Sequence, residues 1–155
     1  MSTSEDNTVR VWDVTSSSNS VRVLNHHSPV HSLSVLNGGI VTATQQGTMR
    51  LWCLSTGELL QLVQALDQDS ISCMKANEQG IWTGSLNGVI RCWDPLSLRP
   101  TLTVSGHKGK VLWIELGEDS VKDPFLSSGL DNSVRVWWKK NTRTSSIKKK
   151  LFGHK

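Results

Sequence analysis

One sequence pattern occurs four times in this chain: a polar turn, then a short run of β-forming residues, then a tryptophan. The four segments are DNTVRVWD, QGTMRLWC, NGVIRCWD and DNSVRVWW. Their tryptophans are separated by 40, 41 and 44 residues, and they are Trp12, Trp52, Trp93 and Trp137. An arginine stands two positions before each of them. A period of about 40 to 45 residues is typical of chains in which each repeat forms one four-stranded sheet.

Short β-rich runs fill the intervals between the tryptophans. They lie at residues 21–24, 30–36, 39–44, 58–64, 70–76, 80–85, 102–106, 111–116 and 125–130. Turn signals such as HHSP and NGG divide the runs. A helix would need apolar residues at helical spacing over about ten positions, and the longest candidate, residues 59–66, is too short. We therefore expect almost no helix.

Composition and cysteine usage narrow the class further. Apolar residues make up 37% of the chain and charged residues 19%, which is typical of a folded protein. No stretch approaches about 18 uninterrupted apolar residues, and the N-terminus lacks the features of a secretion signal. We expect the protein in the cytoplasm, with the nucleus as an alternative. Cys53, Cys73 and Cys92 form no C-x-x-C pair, so we expect buried thiols, no disulfide and no metal or other cofactor.

The net charge of +4 is concentrated at one end of the chain. Residues 1–138 hold 10 Lys and Arg against 13 Asp and Glu, whereas residues 139–155 hold 7 and 0. The basic patch comprises Lys139, Lys140, Arg143, Lys148, Lys149 and Lys150. It would attract acidic lipid headgroups, RNA or an acidic protein. The alternative is a solvated strand and loop, partly neutralised by the acidic loop at residues 117–124.

The repeats resemble tryptophan-aspartate (WD) repeats over nearly the whole chain. Members of that family pair a Gly-His with a Trp-Asp about thirty residues later, as Gly106 and His107 are paired here with Trp137. The resemblance implies an all-β, partial β-propeller of three full four-stranded antiparallel blades plus an outer half-blade. The expected boundaries are a partial blade at 1–25 and full blades at 26–64, 65–105 and 106–155.

The resemblance also implies a buried polar network in each blade, made of a histidine, a Ser or Thr, a turn aspartate and the indole N–H. The last blade has the complete set, which is His107, Ser127, Asp131 and Trp137. The two preceding blades depart from it, with His26, Thr42, Gln46 and Trp52 in one and Asp67, Thr83, Asn87 and Trp93 in the other. Because an unpaired buried partner costs about 1–3 kcal/mol, we expect these departures to weaken the network.

Histidine, serine and aspartate together also make up a catalytic triad, but in this family they connect strands. The sequence contains no phosphate-binding glycine loop, metal cluster or nucleophile elbow. We therefore expect no catalytic residues and no enzyme activity.

The repeats begin and end inside blades. Residues 2–5 lead directly into the first turn, so we expect the first blade to lack its two inner strands. Gly153 and His154 would open a further inner strand. We expect a chain truncated at both ends, which would be a fragment, a splice form or a chain that needs a partner. Two copies are not expected to close a seven-bladed ring, because outer half-blades do not complement each other, and the oligomeric state stays open.

Binding residues are expected at the end of the propeller that bears the Gly-His and aspartate turns. Leu86 and Leu130 precede two of these turns and would form an apolar contact patch. The full candidate set is His31, Gln45, Leu86, Lys110, Leu112, Trp113 and Leu130. The alternatives are ordinary exposed leucines and a core position for Trp113. The predicted function is a non-catalytic protein–protein interaction scaffold or recruiting module, and the alternative is electrostatic binding of acidic lipid or RNA through residues 139–150.

Overall fold

The computed structural model describes residues 1–13, 20–36, 38–64, 69–117, 124–139 and 147–152. In these ranges the chain forms fifteen β-strands and no helix, so the all-β prediction is confirmed. A helix long and apolar enough to cross a membrane is accordingly absent from the described part of the chain.

The strands form four antiparallel sheets, each following the chain order. Sheet 1 contains β1 (Ser2–Thr3), β2 (Thr8–Trp12) and β3 (Ser20–Asn25). Sheet 2 contains β4 (Val30–Leu36), β5 (Gly39–Thr44), β6 (Thr48–Cys53) and β7 (Leu59–Gln64). Sheet 3 contains β8 (Ile71–Asn77), β9 (Gly80–Ser85), β10 (Val89–Trp93) and β11 (Pro100–Ser105). Sheet 4 contains β12 (Val111–Glu115), β13 (Phe125–Gly129), β14 (Val134–Lys139) and β15 (Ile147–Phe152).

Sheet 1 has one strand more than the sequence predicted. The expected outer pair is present as β2 and β3, but Ser2 also pairs with Arg10 and Thr3 pairs with Val9. The few residues before the first turn are therefore enough to form a second strand. Sheets 2, 3 and 4 each have the four antiparallel strands that the repeat pattern predicted.

The chain divides into two compact units, Met1–Ile71 and Ser72–Lys155. In the first unit, sheets 1 and 2 share a core made of Val9, Leu24, Val30, Ile40 and Trp52. Side chains alternate between the two faces of a strand, so Val9 and Leu24 lie on one face of sheet 1, and Trp52 lies on the facing side of sheet 2. The tryptophan-bearing face of sheet 2 thus covers the face of sheet 1 that carries Val9.

The second unit repeats this packing with sheets 3 and 4. Its core contains Cys73, Trp82, Ile90, Cys92, Val111, Ile114, Phe125 and Trp137. The rings of Trp82 and Phe125 lie 4.3 Å apart, and Phe125 stacks on Trp137 at 5.7 Å. The tryptophan-bearing face of sheet 4 therefore covers the face of sheet 3 that carries Ile90.

Candidate functional site

A buried polar network joins the loop before β12 to strands β13 and β14, and it brings together the four residues that the sequence assigned to it. His107 Nε2 lies 2.7 Å from Ser127 Oγ, and His107 Nδ1 lies 2.9 Å from Asp131 Oδ1. Trp137 Nε1 donates to Ser127 Oγ at 2.8 Å. With its proton on Nδ1, the imidazole donates to Asp131 and accepts from the Ser127 hydroxyl, which in turn accepts from the indole.

Two further residues, Arg135 and Ser133, complete the network on the side of the aspartate. Arg135 Nη2 donates to Asp131 Oδ2 at 2.9 Å, and Ser133 Oγ donates to Asp131 Oδ1 at 2.7 Å. The backbone N–H of Lys108 also donates to Asp131 Oδ2 at 2.9 Å. Neither side chain was predicted from the sequence, although an arginine stands two positions before every tryptophan.

The carboxylate of Asp131 is held in its charged form. Burial raises its pKa, but hydrogen bonds from Ser133, the Lys108 N–H, His107 and Arg135 outweigh burial, so that the pKa lies far below its ordinary value. Such a carboxylate serves as an acceptor, and it does not exchange protons near neutral pH. The arrangement therefore fixes the loop at residues 107–110 to the turn at residues 131–133.

The same geometry makes the resemblance to a catalytic triad superficial. Ser127 is only 2% exposed, and its Oγ already contacts both the imidazole and the indole N–H. A nucleophile needs room for a substrate carbonyl beside its oxygen. No such room exists around Ser127, so the network connects strands instead of presenting a reactive group.

Sheet 2 has an incomplete form of this network. His26 Nε2 lies 2.8 Å from Thr42 Oγ1, and Trp52 Nε1 donates to the same hydroxyl at 3.0 Å. Gln46 replaces the aspartate, so the buried Arg50 has no neighbouring carboxylate in the turn, and its Nη1 has no hydrogen-bond partner among the described residues. Burial, followed by the positive charge of Arg50, lowers the pKa of His26 to about 4.

Sheet 3 keeps only part of the network within the described residues. Trp93 Nε1 donates to Thr83 Oγ1 at 2.8 Å. Asn87 Oδ1 accepts from the backbone N–H of Val89 at 3.2 Å, within its own turn. Asp67, which the sequence placed at the histidine position, lies outside the described residues.

The second unit brings three of the expected binding residues to adjacent turns. Leu86 and Leu130 are 46% and 62% exposed, in the turns after β9 and β13. The backbone N–H of Leu130 donates to the carbonyl of Lys110 at 2.9 Å. Gly88, with φ of +85°, lies against the backbone of residues 107–109, where a Cβ would approach His107 O to 2.3 Å. The two leucine turns therefore border the same loop, and we call this surface the leucine-turn patch: Leu86, Lys108, Lys110 and Leu130.

Leu112 and Trp113 lie in β12, directly after this loop. Leu112 is 43% exposed and Trp113 is 61% exposed. Trp113 Nε1 donates to Glu115 Oε2 at 3.2 Å, and Glu115 Oε1 pairs with Lys75 Nζ at 3.1 Å. A core position for Trp113 is wrong, because a bulge between Val111 and Trp113 leaves the ring on the uncovered face of sheet 4.

The two remaining binding candidates belong to the first unit. His31 is exposed in β4, and Gln45 is exposed in the turn after β5. The backbone N–H of Gln45 donates to the carbonyl of Pro29 at 3.0 Å, so the two segments are neighbours within that unit.

The structure describes the basic patch only through its backbone. Lys139 ends β14, and Lys148, Lys149 and Lys150 lie in β15, opposite Trp138, Trp137 and Val136. Lys140 and Arg143 lie outside the described residues, as does most of the acidic loop.

The cysteines differ from one another in burial. Cys73 and Cys92 are buried free thiols as expected, but the prediction of burial is wrong for Cys53, which is half-buried. Cys53 ends β6 at the position that Asp94 occupies after β10, and its Sγ lies 3.1 Å from Ser55 Oγ. The Ser55 hydroxyl, and then the Thr56 hydroxyl and the two backbone N–H groups, lower the pKa of Cys53 to about 7. No group of three metal-ligating side chains occurs among the described residues.

Three four-stranded sheets and one three-stranded sheet repeat along the chain, and in each an indole donates to a hydroxyl ten residues earlier. These sheets are the blades of a partial β-propeller. Residues 98–137 match the family model described as "WD domain, G-beta repeat". The chain is 25–28% identical to the curated relatives compared below, and it contains a WD repeat at residues 98–137.

Three comparisons illustrate the relationship. The chain is 25% identical over 150 residues to Autophagy-related protein 16 of Arabidopsis thaliana, covering 95% of this chain and 28% of the relative. It is 28% identical over 93 residues to the Ribosome biogenesis protein WDR12 homolog of Ixodes scapularis, covering 57% and 21%. The WD40 β-propeller domain of Doa1 superimposes with a TM-score of 0.81 at 24% identity, covering 98% of this chain and 49% of the domain. The chain thus spans about a quarter of the length of these curated relatives.

Proposed function

We propose that this protein is a non-catalytic protein-interaction module that binds its partner through the leucine-turn patch. The observation that carries the proposal is the pair of exposed leucines, Leu86 and Leu130, on turns that border one loop. Exposed apolar side chains grouped on a rigid surface are characteristic of contact sites.

Rigidity supports a binding role for this patch. The loop that carries Lys108 and Lys110 is fixed to the turn of Leu130 by Asp131, which accepts hydrogen bonds from the Lys108 N–H and from Arg135. A surface that is already ordered loses little conformational entropy when a partner binds. The buried network thus contributes to function by holding the contact residues in place.

The names of the relatives are consistent with a scaffold role. "Autophagy-related protein 16" and "Ribosome biogenesis protein WDR12 homolog" refer to cellular processes and not to a reaction. The inaccessible Ser127 also favours a module without catalytic chemistry.

The test is quantitative affinity capture with the full chain as bait. We expect the double variant Leu86→Asp plus Leu130→Asp to lose at least about 90% of the captured partner, because a hot-spot pair contributes several kcal/mol to binding. Leu96→Asp is the matched control, since Leu96 is 77% exposed but lies in the turn at the opposite end of β10.

Two outcomes would contradict the proposal. If the double leucine variant still captures the partner, the leucine-turn patch is not the binding site. Capture that is lost when Lys148, Lys149 and Lys150 are replaced by glutamate, and that falls steeply with salt, would assign binding to the basic patch and so to acidic lipid or RNA.

A further inference from the structure

The arginine two positions before the tryptophan pairs with a carboxylate in two sheets of this chain. In sheet 4, Arg135 Nη2 lies 2.9 Å from Asp131 Oδ2. In sheet 1, Arg10 Nη2 lies 3.8 Å from Asp6 Oδ2. In both pairs the aspartate stands four residues before the arginine, in the turn that precedes the strand of the arginine. An aspartate in this turn is therefore the local counter-charge of the arginine.

Sheet 2 lacks this counter-charge. Gln46 stands four residues before Arg50, and no ion pair involves Arg50 among the described residues. Arg50 is nevertheless only 6% exposed, and burial lowers its pKa. Nη1 is buried without a hydrogen-bond partner in both Arg50 and Arg135, but Arg135 donates through Nε and Nη2. Because a buried charge without a counter-charge is costly, Arg50 is a group that an anion would stabilise.

The loop and the turn around Arg50 keep the positions that hold a carboxylate in sheet 4. His26 Nε2 lies 2.8 Å from Thr42 Oγ1, and the backbone N–H of Gln45 donates to the carbonyl of Pro29 at 3.0 Å. The equivalent distances in sheet 4 are 2.7 and 2.9 Å. The two sheets therefore differ at this place in the residue that carries the acceptor, and not in the backbone around it.

Two donors that bind the Asp131 carboxylate have counterparts in sheet 2. Arg50 corresponds to Arg135, and the backbone N–H of His27 corresponds to that of Lys108, since each follows the histidine of its network. A guanidinium and a backbone N–H are both strong donors to a carboxylate. Sheet 2 thus has the donor groups of a carboxylate site without a carboxylate of its own.

The position lies at the surface of the first unit. Gln46 and His27 are both exposed, so an external carboxylate would reach Arg50 past these residues without crossing the core. The hydroxyl of Thr48, in the same turn, already donates to Gln64 Oε1 at 3.0 Å. The guanidinium and the backbone N–H of His27 are therefore the donors that an incoming anion would use.

We propose that the turn of sheet 2 binds an external carboxylate, which pairs with Arg50 in the place that Asp131 has in sheet 4. We call this position the Arg50 site: Arg50, Gln46 and the backbone N–H of His27. A planar carboxylate fits it best, because two oxygens accept from a guanidinium side by side. The carboxylate belongs either to a free organic acid or to an Asp or Glu side chain of another protein. The Arg50 site is separate from the leucine-turn patch, which lies in the other unit.

An NMR titration of the isotope-labelled full chain with sodium formate tests the site. Formate replaces chloride at constant ionic strength, so that screening stays the same. We expect the signals of the Arg50 Nε–H and the His27 backbone N–H to shift saturably, with half-saturation at about 10 mM, which is typical of a single ion pair near the surface. The pKa of His26 should rise with formate, because the positive charge of Arg50 contributes to lowering it.

Gln46→Asp and Gln45→Asp form a matched pair of variants. The first supplies the carboxylate from within the turn, so its own side chain should compete with formate and weaken binding at least about 10-fold. The second adds the same charge at the exposed neighbouring position and should keep the saturable shift. A wild-type chain whose signals do not saturate, or a Gln46→Asp variant that binds formate as well as the wild type, would overturn the proposal.

A blocked tripeptide, Gly-Asp-Gly, distinguishes the two sources of the carboxylate. Binding at least about 5-fold tighter than that of formate would support a protein side chain as the ligand, since the peptide adds backbone contacts. Binding of formate as tight as that of the peptide would support a free organic acid. The Gly-Asn-Gly analogue should leave both signals in place, and an equal response to it would refute recognition of a carboxylate. Capture through the leucine-turn patch is measured separately, so either proposal is able to fail alone.

Discussion

Trp12 Nε1 donates a hydrogen bond to Ser2 Oγ at 2.9 Å, across ten residues of sequence. The other repeats have the same ten-residue relationship, in the pairs Trp52–Thr42, Trp93–Thr83 and Trp137–Ser127, at 3.0, 2.8 and 2.8 Å. The second-strand hydroxyl is therefore the most constant partner of the indole in this chain. The histidine and the aspartate vary around it. In the network of sheet 2 the histidine is present as His26, but Gln46 stands in place of the aspartate, and this defect can be repaired.

Gln46→Asp should repair the network of sheet 2. Asp131 lies four residues before Arg135, and Gln46 stands four residues before Arg50, so a carboxylate at position 46 would pair with a guanidinium that is now buried without one. We expect a gain of about 1 kcal/mol in the free energy of unfolding, because the buried guanidinium gains a charge-assisted hydrogen bond to a carboxylate. Urea denaturation measures it, and the pKa of His26 should rise when followed by NMR.

Gln45→Asp is the control for this experiment. It adds the same charge one position earlier, at an exposed residue that cannot occupy the place of Asp131. Equal stabilisation by both variants would show that net charge, and not the restored network, is responsible.

Acidification should destabilise the first unit through His26. Its pKa is about 4 in the folded chain against 6.5 for the ordinary group, so the unfolded chain binds the proton first as the pH falls. Stability is fully present above about pH 6.5 and is lost progressively down to about pH 4, by at most about 3 kcal/mol. The measurement is the free energy of unfolding at several pH values. His26→Gln should flatten this dependence and the exposed neighbour His27→Gln should not; equal slopes in all three proteins would contradict the assignment.

The sequence predicted the sheets well, because the interval between tryptophans and the alternation of apolar residues are local signals. It did not predict that Arg135 is part of the network. The pairing of Arg135 with Asp131 becomes evident only when the register of β14 and the direction of the turn are known. The number of strands in sheet 1 was predicted too low for a related reason. Two residues, Ser2 and Thr3, are too few for a periodic pattern, yet their backbone pairs with β2.

The exposure of Cys53 could not be predicted from its residue type. Free cysteines are buried in most proteins, and this tendency holds for Cys73 and Cys92. Cys53, however, follows Trp52 at the position where the third repeat has Asp94, which caps its turn by accepting from the N–H of Ser97 at 2.7 Å. The turn, and not the residue type, determines how exposed the thiol is.

Gly129→Ala should disrupt the complete network of sheet 4. An added Cβ would lie 2.4 Å from His107 Nδ1 and 3.0 Å from Asp131 Oδ1, so the imidazole would have to move away from its partners. We expect a loss of about 2–3 kcal/mol in the free energy of unfolding. Ser128→Ala, at the adjacent half-buried position, should cost far less. If urea titrations showed similar losses in the free energy of unfolding for the two variants, a clash of the new Cβ with His107 would not be the cause.

Cys53 should be the thiol of this protein that reacts first with alkylating reagents. The hydroxyl of Ser55 lowers its pKa to about 7, whereas burial raises the pKa of Cys73 to about 11. Because the thiolate is the nucleophile, the alkylation rate of Cys53 should increase with pH with a midpoint near 7. Ser55→Ala should move this midpoint toward the ordinary value of 9.0, since the principal hydrogen bond to the thiolate is removed. Mass spectrometry of iodoacetamide adducts resolves the sites, and faster labelling of Cys73 than of Cys53 in the folded chain would be incompatible with the structure.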